Sequence, residues 1–145
     1  MSAPKVQLEV VAVSQSANTN VSTRDLKCLA ENIYHEARGE GFYGMLAVAN
    51  VTLNRLSTKG FPDTLCEVVH QPSQFSWTLM RDQLGIYEKV AYAQSVEIAK
   101  YALTTGEDIT GGALFFHTVQ LKRPKWARSY EEAIIINNHI FYKGK

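Results

Sequence analysis

The segment from Gly44 to Leu56, GMLAVANVTLNRL, carries apolar side chains on almost every face of a helix. Met45, Leu46, Ala47, Val48, Ala49, Val51, Leu53 and Leu56 leave only a thin polar strip at Asn50 and Asn54. A helix of that kind is stable in water only when neighbours surround it. It is far shorter than the ~20 apolar residues that span a bilayer, and no apolar run in the chain approaches that length, so no stable membrane insertion is expected. The remainder of the chain must therefore wrap this helix. With 145 residues, 46% of them hydrophobic, it has the material for one domain with a proper core. A net charge of +1 gives no global attraction to nucleic acid. The strip at Asn50 and Asn54 can line a cleft or face solvent, and the pattern serves both.

The first partner for that core helix is Arg24 to Glu40, RDLKCLAENIYHEARGE. Ser22 and Asp25 form a Ser-x-x-Asp start signal, a variant of the capping box. Gly39 and Gly41 follow the last periodic residue, where a helix can end in a left-handed residue. At ~100° per residue, Leu26, Leu29, Ala30, Ile33, Tyr34 and Ala37 share one arc, and Lys27, Glu31, His35 and Arg38 cover the opposite one. Glu36 does not join the charged face. It falls beside Leu29 and Ile33, with Asn32 one turn before it. A carboxyl pushed toward apolar packing stays protonated to higher pH and can then donate its proton to a leaving oxygen. Helix geometry alone favours the plainer alternative, an edge residue paired with Arg38, Arg55 or another cation.

Three blocks change that balance. LAENIYHEARGE, then GMLAVANVTLNRL, then FPDTLCEVVHQPSQFSW resemble, in order and spacing, the cell-wall hydrolases of the spore-cortex-lytic type. A weaker tail continues through GALFFH, PKWA and HIFY, so the resemblance covers most of the chain after residue 25. It implies an α+β fold, a mainly helical lysozyme-like single domain with a small antiparallel sheet. It also implies cleavage of peptidoglycan glycan strands, as a lytic transglycosylase where that has been defined, with a possible phage endolysin as a member. The family's catalytic acid is the first glutamate of EARGE, which is Glu36 here. The resemblance places Gln74, Ser76 and Trp77 near the cleft. From the tail blocks, His117, Trp126, His139 and Tyr142 are taken as further substrate contacts. Phe75 fits better as a plug in the core, a role also open to Trp77. Relatives carry cysteines in the blocks that hold Cys28 and Cys66, so a Cys28–Cys66 bridge is implied once the protein leaves the cytoplasm. Its closure would contribute about 4 kcal/mol in the chain-entropy model. Two free thiols, kept by a reducing cytoplasm, are the alternative.

The other segments read as scaffold. Residues 1–22 form an arm, with one candidate strand at Val6 to Val13 and a Ser/Asn/Thr-rich linker, ahead of a catalytic domain at 23–145. The arm makes a poor signal peptide, because Gln7 and Glu9 interrupt its apolar stretch. Without a signal, the route expected to the wall is release from the cytoplasm during phage lysis. Gly60 to Asp63 is a turn, and Thr64 with Glu67 has capping-box spacing for a short helix, Leu65 to His70, ended by Pro72. Thr78 to Gly85 reads as a turn or short helical piece. A long helix runs from Ile86 to Thr105, with Ile86, Val90, Ala91, Ile98 and Ala102 on its buried side and Gly106 closing it. Ala113 to Thr118 alternates as a strand, with Phe115 and His117 on one side and Leu114 and Phe116 on the other. Gln120 to Ser129 is a cation-rich surface loop around Trp126. Ala133 to Lys143 is a β-hairpin turning at Asn137-Asn138.

Competing chemistries find less support. His35-Glu36 opens like a zincin motif, but Gly39 stands where the second histidine belongs. His117 and His139 can meet across the small sheet and gather a carboxylate, or bond sugar or backbone groups, or serve structure. No metal or other cofactor is expected. There is no Gly-x-Ser-x-Gly elbow and no phosphate loop. One short basic loop on a near-neutral domain is weak support for nucleic-acid binding, so the expected partner is the peptidoglycan strand, met by a monomer. In the expected reaction Glu36 protonates the β-1,4 glycosidic oxygen after N-acetylmuramic acid. Its carboxylate then takes the proton of the sugar's own 6-hydroxyl. A hydrolytic muramidase would need a second carboxylate, for which Glu40 is the first candidate, although capping or a pair with Arg38 suits Glu40 better. A metal-dependent amidase or peptidase and a non-enzymatic wall- or nucleic-acid-binding module complete the alternatives.

Overall fold

The computed structural model describes residues 21–71, 75, 77, 78, 85–120 and 122–144. The candidate strand in the arm, Pro72, and most of the Thr78 to Gly85 piece lie outside the described residues. Among the described residues four α-helices lie beside a three-stranded antiparallel sheet: α1 Thr23–Ala37, α2 Gly41–Leu56, α3 Leu65–Val69, α4 Lys89–Thr105, β1 Ala113–Thr118, β2 Glu132–Ile136 and β3 His139–Lys143. The expected mainly helical α+β plan is therefore the observed one.

The central role of α2 follows from its composition. Residues 44–52 of α2 are all buried, and α1, α3, α4 and the sheet pack around it. Leu29, Ala30, Ile33 and Ala37 of α1 meet Met45, Leu46, Val48 and Ala49 of α2 and Ile98, Ala99 and Ala102 of α4 in one core. A second, smaller core gathers Ala47, Val51, Ala113 and Phe141 where the sheet docks on α2.

Asn50 and Asn54 neither line a cleft nor face solvent as a stripe. Asn50 donates to Glu107 O at 2.7 Å and accepts from Ile109 N at 2.9 Å. Asn54 donates to Asp108 Oδ2 and Ala113 O, each at 3.0 Å. Backbone groups that leave regular structure still need partners, and these two amides supply them for the loop that leads into β1.

Helix ends follow their signals. Ser22 Oγ accepts from Asp25 N at 3.0 Å, and Thr64 Oγ1 accepts from Glu67 N at 3.2 Å while donating to the Glu67 carboxylate. Gly106 closes α4 at φ 66°, in the left-handed region where a Cβ is unfavourable. The short helix ends at Val69 with His70 as its cap. The long helix starts at Lys89, not Ile86, and Val90 is 75% exposed because its first turn sets Tyr92, not Val90, against the core. That corrects the placing of Val90 on the buried side. The expected loop between β1 and β2 contains a 3₁₀ turn, Lys125–Ser129, that buries Ala127.

The sheet order is β1-β3-β2, with Thr118 opposite His139 and His117 opposite Ile140. Asn137 takes φ 51° in the hairpin turn, as its position between two strands requires. Phe115 and His117 do share one face and Phe116 the other. Phe115 meets Trp126 and Tyr130, whereas Phe116 meets Phe75 and His139.

Cys28 and Cys66 are bonded, which fixes the start of α3 to α1. Cys28 lies off the apolar arc, yet it is buried because α3 and Trp77 cover that side. Cys66 N also donates to the Asp25 carboxylate at 3.2 Å.

Candidate active site

Glu36 occupies the last turn of α1, half-buried. Burial pushes its carboxyl from an ordinary 4.5 up to about 7, against the opposing pull of Arg55. The same burial lowers the Arg55 guanidinium to about 10, and the Glu36 charge acts in the other direction. Just past Glu36 the chain reverses through Gly39 at φ 83° and Gly41 at φ 80°. Each has open space around it, so backbone conformation and not crowding calls for glycine there.

Arg55 is the residue that sequence reading left underused. It is 3% exposed on the apolar helix α2. Its Nε donates to Leu114 O at 2.7 Å, and its guanidinium carbon lies over the rings of Phe75, Phe115 and Phe61 at 4.8, 5.3 and 5.6 Å. The signal was an arginine in a segment otherwise fit only for burial. A charge in that setting needs a partner.

On the other side of Glu36, Asn32 is fully buried and binds the Trp77 indole N–H at 2.7 Å. Trp77 stacks on His35 at 4.3 Å between ring centres and meets His70 edge-on. Together with Lys27, Glu31 and Ile86 these rings line a pocket of about 260 Å³. Burial and the Arg38 charge lower the His35 pKa, although Glu31 raises it. Phe75 is 3% exposed in the small core with Cys28, Cys66 and Val69, the plug role expected of it.

Glu40 pairs with neither Arg38 nor Glu36. Its Oε1 lies 3.5 Å from His139 Nδ1, both side chains well shielded, and Arg38 pairs with Glu88 at 3.2 Å instead. Glu40 O also accepts from Asn137 Nδ2 at 2.5 Å, so the hairpin turn is held against the turn that follows Glu36. Burial lowers the His139 pKa in the first place, with Glu40 opposing.

The tail residues divide between the two faces of the sheet. His117 Nδ1 lies 2.9 Å from Thr118 O. A carbonyl only accepts, so that nitrogen carries a proton, and Nε2 can accept the Tyr142 hydroxyl at 2.8 Å. Tyr142 is fully buried beneath Trp126 and Arg123. It braces His117 through that hydrogen bond, and His117 and His139 are themselves buried, 7% and 4% exposed. Trp126 is 40% exposed and is the tail residue with a ring open to a ligand. His139 faces Phe116 and Glu40 on the other side. The register thus keeps His117 and His139 from sharing a carboxylate, and among the described residues no three His, Cys, Asp or Glu side chains are grouped to hold a metal ion. Gln74 and Ser76 lie outside the described residues.

This arrangement has known counterparts. Residues 39–142 match the profile of the cell wall hydrolase family, a match that begins just after Glu36. The spore cortex-lytic enzyme of Bacillus cereus is 32% identical over 136 residues, covering 89% of this chain and 49% of the relative. The chain thus spans about half the length of that curated relative. The crystal structure of the catalytic domain of Bacillus cereus SleB superposes with a TM-score of 0.71 at 31% identity, covering 85% of this chain and 92% of that one. The catalytic domain of the germination-specific lytic transglycosylase SleB from Bacillus anthracis gives 0.70 at 32% identity, covering 84% and 96%. By its profile match over most of its length, and by its fold, the chain belongs to the cell wall hydrolase family.

Proposed function

We propose that this protein cleaves peptidoglycan glycan strands as a lytic transglycosylase, at the β-1,4 bond between N-acetylmuramic acid and N-acetylglucosamine. The carrying observation is Glu36, a half-buried carboxyl protonated up to about pH 7. Such a group donates its proton to the glycosidic oxygen as the C1–O bond breaks. The carboxylate left behind takes the proton of the sugar's 6-hydroxyl, whose oxygen bonds C1 and closes an anhydro ring. One acid–base residue then suffices, and no water is consumed. A hydrolase would call on a second carboxylate, for which Glu40, set 3.5 Å from His139 Nδ1, is the candidate that the test below separates. The relatives support the same reading, since the similar domain from Bacillus anthracis is that of a germination-specific lytic transglycosylase.

On this reading residues 23–145 are the catalytic domain and residues 1–22 an arm. The protein acts at the bacterial cell wall as a monomer, without nucleic acid. Trp77 and Trp126 supply aromatic walls for the strand, and His117 and His139 hold the sheet side of the cleft in place. The test is mass spectrometry of purified sacculi, with and without muramic lactam, digested by wild type and by Glu36→Gln, each with and without EDTA. Anhydro-muramic ends from wild type alone, indifferent to EDTA, are expected. Reducing muramic ends would make it a muramidase, cut peptides lost on chelation a metal-dependent amidase, and no products a binding module.

A further inference from the structure

Arg55 Nη1 is fully buried and has no hydrogen-bond partner among the described residues. An orphan charged donor in a protein interior is costly and calls for an explanation. The rest of the side chain is committed: Nε is spent on Leu114 O, and three aromatic rings surround the guanidinium. It therefore cannot swing out to solvent. Among the described residues no ion pair joins Arg55 to Glu36 at rest, yet Glu36 is the carboxyl whose charge it feels.

We propose that Arg55 is a positioning residue whose vacant Nη1 receives the Glu36 carboxylate once that group has given up its proton. The inference rests on the acid–base role assigned to Glu36 above. In the resting site Glu36 is neutral and makes a poor partner for a guanidinium. When its proton moves to the leaving glycosidic oxygen, a full charge appears on the carboxylate, and Nη1 can then donate to it. When the carboxylate takes the 6-hydroxyl proton, the bond relaxes and the site returns to its starting state. A preplaced donor of this kind stabilises charge that develops only during reaction.

Arg55 is the charge that acts on Glu36, and the titratable side chains of the neighbouring elements have other contacts. On α1, His35 lies on Trp77 and Arg38 pairs with Glu88. At the following turn Glu40 faces His139. Beyond α3, His70 meets Trp77, and on β1 His117 bonds Tyr142.

The test begins with wild type, without turnover. The ¹³C carboxyl signal of Glu36 and the ¹⁵N guanidinium signals of Arg55 are followed by NMR across neutral pH. Both should move with one midpoint near 7, and the Arg55 signals should stay still in Glu36→Gln. Arg55 signals that stay flat while Glu36 titrates would overturn the proposal. Kinetics on Arg55→Met, corrected for folded fraction, should show kcat lower by on the order of a hundredfold with KM little changed. Its high-pH limb should move to higher pH, because the carboxylate has lost its counter-charge. Arg55→Lys, which keeps the charge, should hold that limb near the wild-type position. A variant that loses only thermal stability, with the limb unmoved, would show a structural arginine and sink the idea. If Arg55→Met does not fold, the wild-type titration decides alone. Failure of wild type to make anhydro ends would instead overturn the transglycosylase reading, and the titration would still read the coupling.

Discussion

Trp77 donates its indole N–H to Asn32 Oδ1 at 2.7 Å, one helical turn before Glu36. Asn32 Nδ2 donates in turn to Thr52 Oγ1 at 3.1 Å, and the Thr52 hydroxyl donates to Val48 O at 2.9 Å. Three segments far apart in sequence are thereby locked beside the candidate acid, with every polar group of the relay paired.

Breaking that relay should cost more than one hydrogen bond. Asn32→Ala strands a buried indole N–H, and leaving a buried donor unpaired costs about 1–3 kcal/mol on top of the bond itself. A loss of about 2–3 kcal/mol is expected from urea denaturation. A loss below about 1 kcal/mol would mean that Trp77 finds another acceptor.

The Glu36 carboxyl makes stability depend on pH in a specific direction. Its folded value, about 7, lies above its ordinary 4.5. Between those values the folded protein holds more protons than the unfolded chain. The stability it contributes is complete below 4.5 and is lost as pH rises through 7. Glu36→Gln stays neutral, so it should gain about 2 kcal/mol over wild type at alkaline pH and show no such gain in acid. Urea melts at the two pH values measure this, and equal differences at both would refute burial of the carboxyl. Wild-type activity should fall as pH rises through 7, while Glu36→Gln is inactive throughout.

Glu40→Gln separates the two glycosidase mechanisms. It weakens the contact with His139, which should lower stability by about 1–2 kcal/mol. Anhydro ends should still form. An activity loss as deep as that of Glu36→Gln, with reducing ends from wild type, would make Glu40 a second catalytic carboxylate.

Cys28 and Cys66 are 38 residues apart, so their bond removes much freedom from the unfolded chain. Replacing both with alanine should lower stability by about 4 kcal/mol, seen as a lower denaturation midpoint, with activity kept well below that midpoint. Unchanged stability would show that the Asp25 to Cys66 N bond and core packing suffice to hold α3 on α1.

Trp126 presents an exposed ring on the sheet side. Trp126→Ala should raise KM for glycan strands about fivefold, equal to about 1 kcal/mol of lost binding, with kcat nearly constant. A fall in kcat alone would assign it to bracing His117 and Tyr142 instead.

Local signals were legible wherever one segment carried the whole cause. The caps at Ser22, Thr64 and Gly106 act within a few residues of themselves, and all three stand as the pattern implied. The burial of α2 was equally plain, since no arrangement leaves that surface in water. The asymmetric place of Glu36 followed from helix periodicity alone. Its chemistry, by contrast, came from resemblance and from its raised pKa.

What α1 to β3 decide jointly was hidden. Cys28 looks like an outward position on α1, and only α3 and Trp77 make it interior. Asn50 and Asn54 looked like a stripe until the loop before β1 brought its backbone to them. Tyr142 and His117 bond each other because β1 and β3 pair in one register. By itself the sequence determined which of these helices form, where their capping residues stand and which one lies at the centre, because propensity, capping and hydrophobic period are local causes. Tertiary structure alone decided which polar side chains are buried and with whom, including Arg55 near Glu36. Desolvation and hydrogen-bond pairing depend on what packs over a residue, and that cover comes from distant parts of the chain.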